Sequence, residues 1–432
     1  MNLPNYFLAD LPPEAALSRC PHLIFYRVNA LTAWIVARKL LESIGQPYFV
    51  ASGRVELTTS IGVAVAPEDG PDPETLIRSA DNALTRAKER GRNNYQLSTP
   101  ELAEEAVKRL SLQTGLRQAI AKKLAQYNGI AADPETDVNV SAGATGSFHC
   151  ACLALLNPGD EVILFEPYYQ YHISALLAVE AVPVTVKMQA PDWTFTVADI
   201  ERVITPRTKT IIVNSPGNPS GKVFSRQELE SIAAIAQQYD LFVFTDEIYE
   251  YFLYDGRTHV SFATLPGMAD RTITIGGYSK TFSITGWRIG YSVAAARWAQ
   301  AIGAMNDLLY VCAPTPLQAG VAVGIQELQD SFYRDLAHDY QRKRDRFCQA
   351  LAKAGLTPSI PQGAYYVLAD TSRLPGTTGK ERAMFLLETI GLAGVPGEAF
   401  FSGADGRQFI RFSYAKIDSD IDDACRRLAR LG

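Results

Sequence analysis

The sequence predicts an α/β fold, a mostly parallel sheet flanked by helices, followed by a smaller α+β segment. Three observations carry that reading. From Val138 onward, short apolar runs (Val138–Val140, Thr210–Val213, Leu241–Thr245 and Thr272–Ile275) alternate with stretches of helical spacing, the pattern of a sheet covered on both faces. Between two of those runs, Ser225-Arg226-Gln227-Glu228 is a capping box that starts a helix running to about Gln238. After about Pro316 the pattern changes to long helices and then short strands at Ala364–Leu368 and Phe409–Ser413. Asn306–Pro316 lies between the two regimes and is expected on the hinge side of a cleft.

Composition narrows the function. The chain has 432 residues, a net charge of −5 and six cysteines. That length can bury a large core and divide into two or three domains. The acidic balance argues against a nucleic-acid partner. Arg342-Lys343-Arg344 is interleaved with Asp339 and Asp345, as on a solvated helix face. Cys20, Cys150, Cys152, Cys312, Cys348 and Cys425 lack metal-ligand spacing, so no metal is expected and a reducing cytoplasmic setting suits them. Asp10, Glu14 and prolines interrupt any signal-peptide pattern, and Leu23–Ile35 contains Arg27 and Asn29 and is too short and mixed to span a bilayer. No membrane partner is expected.

The chemistry sits at the ends of the apolar runs. Val138–Val140 is followed by Gly143-Ala144-Thr145-Gly146 and a helical run to about Leu156. A glycine turn opening a helix offers free N–H groups to a phosphate, although many such turns serve geometry alone. Thr210–Val213 leads into Asn214-Ser215-Pro216-Gly217-Asn218-Pro219-Ser220-Gly221, where prolines and glycines fix the directions of the polar side chains. Asp246-Glu247-Ile248-Tyr249 closes the run Leu241–Thr245. An acid at the carboxyl end of a buried parallel strand points into the ligand crevice, and it needs a partner there. Finally, Gly276–Gly290 places Lys280 just after Thr272–Ile275 and Arg288 beyond it. A lysine in a pocket forms a Schiff base with an aldehyde, and an arginine grips a phosphate. Aldehyde and phosphate on one molecule point to pyridoxal 5'-phosphate, with Asp246 holding its ring nitrogen protonated. Taken singly, each motif also suits an ordinary surface turn.

In series, Asn218, Asp246, Tyr249, Lys280 and Arg288 resemble the class I aminotransferases of the fold-type I group of pyridoxal-phosphate enzymes, from about residue 116 to the end. The resemblance implies that Lys280 holds the internal aldimine and then moves the substrate's proton. It implies that Asp246 pairs with the pyridine nitrogen and that Asn218 and Tyr249 bond the phenolic oxygen. Tyr169, in Glu166-Pro167-Tyr168-Tyr169, would stack on the ring. Gly143, Ala144 and Thr145 would cradle the phosphate with Ser279 and Arg288. Arg411, in Gln408–Ser413, would fork onto the substrate's α-carboxylate beside Asn218; pairing with a neighbouring acid is the alternative for a strand arginine. A homodimer follows from the same resemblance.

Two departures stand out. Gly277 occupies the position where the family usually has a serine, which removes one phosphate contact. Upstream of Leu116–Leu124 the expected N-terminal arm, substrate-contacting glycine and cross-subunit tyrosine are not found. Instead Trp34–Pro100 resembles the C-terminal part of a GGDEF (diguanylate cyclase) domain. The resemblance rests on the alternating Val55–Ala64, on Pro67-Glu68-Asp69-Gly70 and on an amphipathic stretch, Glu74–Arg90, with Leu76, Ile77, Ala80, Leu84 and Ala87 at helical spacing. It places Lys88 and Arg92 at phosphate-contacting positions, but the turn that names that domain is missing and Thr85 replaces a usual tyrosine, so cyclase activity is not expected.

The expected organisation is 1–29 unassigned, 30–100 a partial GGDEF-like α+β fragment, 101–122 a helical linker, 123–315 a pyridoxal-phosphate-binding large domain and 316–432 a small C-terminal domain. The expected activity is exchange of an amino group between an L-amino acid and a 2-oxo acid. A β-lyase would use the same Lys280, Asp246 and Arg411, and the missing N-terminal segment favours a catalytically impaired fusion. No second arginine motif marks a dicarboxylate substrate. Tyr168, Tyr365 and Tyr366 suit either an apolar or aromatic substrate or plain core packing.

Overall fold

The computed structural model describes residues 30–50, 53–99 and 115–431. The unassigned residues 1–29, with Cys20, and the charged segment 101–114 lie outside the described residues. The chain divides into two units, Met1–Ser111 and Leu112–Gly432.

In the first unit, α1 spans Ala30–Ile44, β1 (Tyr48–Val50) pairs antiparallel with β2 (Gly53–Val55), and β3 (Ile61–Val63) pairs parallel with β4 (Tyr95–Leu97). Helix α2 (Pro73–Glu89) makes the crossover between β3 and β4. Its start is set locally. Asp72 Oδ1 accepts the Thr75 N–H at 2.9 Å, and Pro73 fills a first-turn position that needs no N–H. Two details differ from the sequence reading. Val55–Ala64 is not one strand, because residues 56–60 separate β2 from β3; alternation assigns faces but supplies no partner strand. Ile77 is exposed, and Ala83 and Ala87 are the buried residues of α2.

The second unit begins with α3 (115–123), which ends in a π-helical turn, Leu124–Asn128. Strand β5 (Val138–Ala142) runs straight into α4 (Gly143–Leu155). Then follow β6 (Glu161–Glu166), α5 (Gln170–Ala178), β7 (Val182–Lys187), α6 (Val197–Glu201) and β8 (Thr208–Asn214). Helix α7 (Arg226–Gln238), β9 (Phe242–Asp246), β10 (Thr272–Gly277) and β11 (Ile289–Val293) complete the sheet. Its order is β5-β11-β10-β9-β8-β6-β7, and β11 runs antiparallel to both neighbours. This is the mostly parallel sheet that the alternation predicts. The capping box closes as expected, with Ser225 Oγ accepting the Glu228 N–H at 3.2 Å and the Glu228 carboxylate accepting the Ser225 N–H at 2.8 Å.

Helices cover both faces. On one side α7 buries Leu229, Ile232 and Ile235 against Ile211, Val213 and Val243; on the other, α4 packs Phe148 and Cys152 against Leu164, Ile212 and Phe244. Burial of both faces is why these strands read as continuous apolar runs. Helices α8 (Ala296–Tyr310), α9 (Thr315–Glu327) and α10 (Asp330–Lys353) lead to a four-stranded antiparallel sheet. It is ordered β12 (Thr357–Pro358), β13 (Tyr366–Asp370), β15 (Phe409–Ser413), β14 (Val395–Pro396), and is accompanied by α11 (Gly379–Ile390) and α12 (Asp418–Leu428). Strand β13 starts two residues later than predicted, because Ala364 has φ +56° and its N–H bonds the Phe252 carbonyl at 3.0 Å. Among the described residues no helix is long and apolar enough to cross a membrane.

A buried ionic cluster fastens α3 and its π-turn to this unit. Lys123 Nζ pairs with Glu250 and donates to Tyr291 Oη at 3.2 Å. Asn128 Nδ2 donates to Glu250 Oε2 at 2.8 Å and to Ser261 Oγ at 2.7 Å. Ser261 Oγ in turn donates to Glu247 Oε2 at 2.7 Å, and His259 Nε2 stands 2.7 Å from the same oxygen. Burial, the largest influence on each, pulls His259 down and Glu247 up. Their mutual charge and hydrogen bonding outweigh it, leaving His259 above the ordinary histidine value and Glu247 below the ordinary carboxylate value. His259 and Glu247 thus each favour the charged form of the other.

Stability from charged His259 is complete below the unfolded histidine value and is lost as pH rises through the raised folded value. The Glu247 share is present above the unfolded carboxylate value and is lost as pH falls through its lowered value. The thermal midpoint is expected to decline from about pH 6.5 upward, and less so in His259→Gln. A wild-type midpoint that stays flat across that range would contradict a charged His259.

Candidate active site

The segments carrying the candidate residues leave the large sheet at one edge. Asn214 on β8 and Ile275 on β10 both register with Asp246 on β9, Gly277 registers with Gly290, and Ile289 with Ala142. The carboxyl ends of β5, β8, β9 and β10 thus border the crevice where open α/β sheets bind ligands.

At one end of that edge is an anion cup. Gly143 opens α4 at φ +82°, and no side chain caps the helix, so its first N–H groups, including those of Ala144 and Thr145, are available to an anion. Arg288 donates to the Thr285 carbonyl at 3.1 Å and to the Ala142 carbonyl at 3.3 Å. These bonds hold the guanidinium against the helix start, where a Cβ on Gly143 would stand 2.3 Å from Nη2. Strand β11 reaches the same turn only because residue 290 is glycine, since a Cβ there would lie 2.2 Å from the Ala144 nitrogen. Ser279 is buried beside it, its carbonyl accepting Thr285 Oγ1 at 3.1 Å. Gly277 is closely packed as well: a Cβ there would be 3.0 Å from Ile248 Cδ1.

The middle of the edge is a polar relay. Asp246 is buried, with Oδ2 3.0 Å from His172 Nε2 and Oδ1 accepting the Ile248 N–H at 3.2 Å. Asn214 donates to the Asp246 carbonyl at 3.1 Å and accepts the Asn218 N–H at 2.8 Å, tying the two turns together. Tyr169 meets His172 edge-on with ring centres 5.3 Å apart, and burial followed by the Asp246 charge pushes its phenol up. Tyr249 is buried, its hydroxyl donating to Tyr366 Oη at 3.3 Å. Lys280 stands half-buried in the turn after β10; its carbonyl accepts the Ser283 N–H at 3.1 Å, while its ammonium has no hydrogen bond or ion pair among the described residues.

Arg411, on β15, closes the far side. Its Nη1 donates to Asn218 Oδ1 at 3.0 Å, and its guanidinium carbon lies 4.4 Å from the centre of the Tyr366 ring and 4.8 Å from that of Phe400. Its Nε is buried without a partner, and no carboxylate among the described residues pairs with it. The alternative of an arginine bound to a neighbouring acid is not what the structure holds. Sequence reasoning gave no role to His172, Asn214 or Gly290. Asn214 and Gly290 lie at the ends of motifs that the sequence does mark, whereas His172 lies outside all of them.

Glu247, Glu250 and His259 bring one ligand atom each within 4.8 Å of one another. The Lys123 ammonium already sits on Glu250, however, and a cation there would meet a second positive charge. The open helix start with its arginine, the unpaired lysine, the buried carboxylate and the orphaned Arg411 Nε instead suit a phosphorylated ring aldehyde joined to a carboxylate-bearing substrate.

Fold and site together define a fold-type I pyridoxal-phosphate enzyme. The family model described as aminotransferase class I and II matches residues 83–428, and the chain belongs to that family, whose members depend on pyridoxal phosphate. A GGDEF (diguanylate cyclase) domain model matches residues 24–94. The kynurenine–oxoglutarate transaminase of Dictyostelium discoideum is 34% identical over 73% of this chain and 81% of its own length. A probable N-succinyldiaminopimelate aminotransferase from Mycobacterium tuberculosis is 36% identical over 73% and 82%. The solved N-succinyldiaminopimelate aminotransferase from Mycobacterium tuberculosis superposes with a TM-score of 0.72 at 30% identity, covering 92% of this chain and 97% of that one. A Thermus thermophilus aspartate aminotransferase mutant gives 0.69 at 33%, covering 74% and 86%. The protein is a pyridoxal-phosphate-dependent aminotransferase, acting between an amino acid and a 2-oxo acid.

Gly290→Ala is expected to displace the first turn of α4 and weaken pyridoxal-phosphate binding about tenfold, the loss of one charge-assisted hydrogen bond. Fluorescence titration of the purified chain measures it. Wild-type affinity in this variant would mean that the cup is not the phosphate site.

Proposed function

We propose that transamination runs on the residues along this edge, with Lys280 as the group that carries the cofactor aldehyde and then moves the donor's Cα proton. The cofactor, when bound, supplies the aldehyde that takes up the amino group and a ring that disperses the resulting charge. Asp246 would keep the ring nitrogen protonated, its own direction fixed by His172 and the Ile248 N–H. Asn218 and Tyr249 would bond the phenolic oxygen, and Tyr169 would lie over the ring. Gly143, Ala144, Thr145, Ser279 and Arg288 would hold the phosphate. The division into a cofactor-binding part, 123–315, and a smaller part, 316–432, belongs to the same reading.

Arg411 carries the proposal. A cation clamped by Tyr366, Phe400 and Asn218, yet left without an acid among the described residues, is prepared for an incoming carboxylate. Its fork would orient an L-amino acid so that the amine meets the cofactor.

Homodimer formation is supported by an apolar patch beside the cup. At the end of α8, Leu308 is 75% exposed and Val311 73%, and Tyr310 lies next to Gly146 at the start of α4. A cytoplasmic setting is supported by unpaired, buried thiols, of which Cys150 is pushed up to about 11 by burial.

Borohydride reduction of the loaded protein followed by peptide mapping is expected to find the cofactor on Lys280. Lys280→Ala should lose that adduct and slow the half-reaction by about 10²–10⁴, whereas Arg411→Ala should raise the donor KM about tenfold or more. An adduct on another lysine, or an unchanged KM in Arg411→Ala, would refute these assignments. Sedimentation equilibrium should give a dimer for the wild type and a monomer for Leu308→Asp/Val311→Asp; a monomeric wild type would remove the dimer.

A further inference from the structure

Asp246 and Tyr249 share one turn with Glu247 and Glu250, and the two pairs have separate partners. Asp246 and Tyr249 meet His172 and Tyr366. Glu247 and Glu250 are taken up by the buried cluster of His259, Ser261, Asn128 and Lys123. Lys123 also reaches a second strand. It donates to Tyr291 Oη at 3.2 Å, and Tyr291 covers Gly276 so closely that a Cβ there would stand 2.5 Å from that oxygen. Gly276 lies on the strand that delivers Lys280. One ammonium, only 6% exposed, thus grips the backs of the two segments that present the carboxylate and the lysine of the site. None of the cofactor or substrate roles above uses it.

We propose that Lys123 is a positioning residue: through Glu250 and Tyr291 it fixes the turn of Asp246 and Tyr249 relative to the β10 end that bears Lys280, and so sets how tightly the cofactor is held. The inference rests on the roles proposed for Lys280 and Asp246. Its physical basis is that a buried ion pair tolerates little displacement, since each ion depends on the other in place of water. A turn held from behind in this way keeps its front groups in one geometry.

Lys123→Met alone leaves Glu250 buried and unpaired, so the informative variant is Lys123→Met/Glu250→Gln, which removes both charges and keeps the volumes. Three measurements are made on the full chain: the thermal midpoint without cofactor, the pyridoxal-phosphate Kd by fluorescence, and the pH midpoint of the bound cofactor's absorbance. The expected result is a folded protein with Kd raised about tenfold, the scale of one charged hydrogen bond, and a displaced pH midpoint. A folded double variant with wild-type Kd and pH midpoint would make the cluster a structural staple only and overturn the proposal. Tyr291→Phe keeps both charges and removes one hydrogen bond; its Kd is expected to rise about twofold to threefold, and an unchanged Kd overturns the link to the Lys280 strand even if the double variant does not fold. Failure of the wild type to form an adduct on Lys280 would count against the site assignment itself, a result separate from each of these.

Discussion

The register of β8, β9 and β10 is the constraint on which the site depends. Parallel strands linked by helices end at a common edge, and here Asn214 and Ile275 are both locked opposite Asp246. The residues that follow cannot scatter. The turn after β8 delivers Asn218, the end of β9 delivers Asp246 and Tyr249, and the turn after β10 delivers Lys280. Each comes from a different part of the chain, yet the backbone hydrogen bonds of the sheet set their spacing. The antiparallel β11 brings Arg288 back to the same edge and lays Gly290 against the start of α4.

Side-chain bonds then tie the turns to one another. Asn214 joins the Asp246 backbone to Asn218, Asn218 receives Arg411 from a strand 193 positions further along, and His172 steadies Asp246 from a helix 74 positions earlier. These links are short and largely buried, where a satisfied polar group specifies geometry and an unsatisfied one is costly. Among the described residues the Lys280 ammonium and the Arg411 Nε stand along this edge without hydrogen-bond partners, and the roles proposed above would satisfy both.

Much of this was legible in the sequence because it is local. A strand, a Gly- or Pro-rich turn and a reactive side chain follow one another within a few residues around Gly143, Asn218, Asp246 and Lys280, so each motif announces its own placement. Arg411 was legible as a strand residue through the alternation of Phe409–Ser413. What escaped depends on distant packing. Nothing near His172 signals that its ring meets Asp246, and nothing near Gly290 signals that α4 lies on it. The shortfall in the first unit has another cause: period-two alternation over Val55–Ala64 describes side-chain direction, whereas strand extent depends on a partner, and β3 finds one over three residues only. Ala364 shows the converse, where a left-handed residue and a bond to Phe252 delay a strand whose composition starts earlier.

The ionic cluster behind β9 bears on how the protein responds to its medium. Ions in solution weaken attraction between charges that water can reach, over distances of about 8–10 Å at ordinary salt. Pairs such as Lys187–Asp405, with both side chains more than half exposed, lie within reach of that screening. Lys123, Glu250, Glu247 and His259 do not, because they are sealed among Tyr127, Asn128, Ser261 and Tyr291. Salt added to the medium would therefore loosen the outer surface while leaving the seat of Asp246 and Tyr249 untouched, so that the inner architecture is insulated from the ionic composition around it.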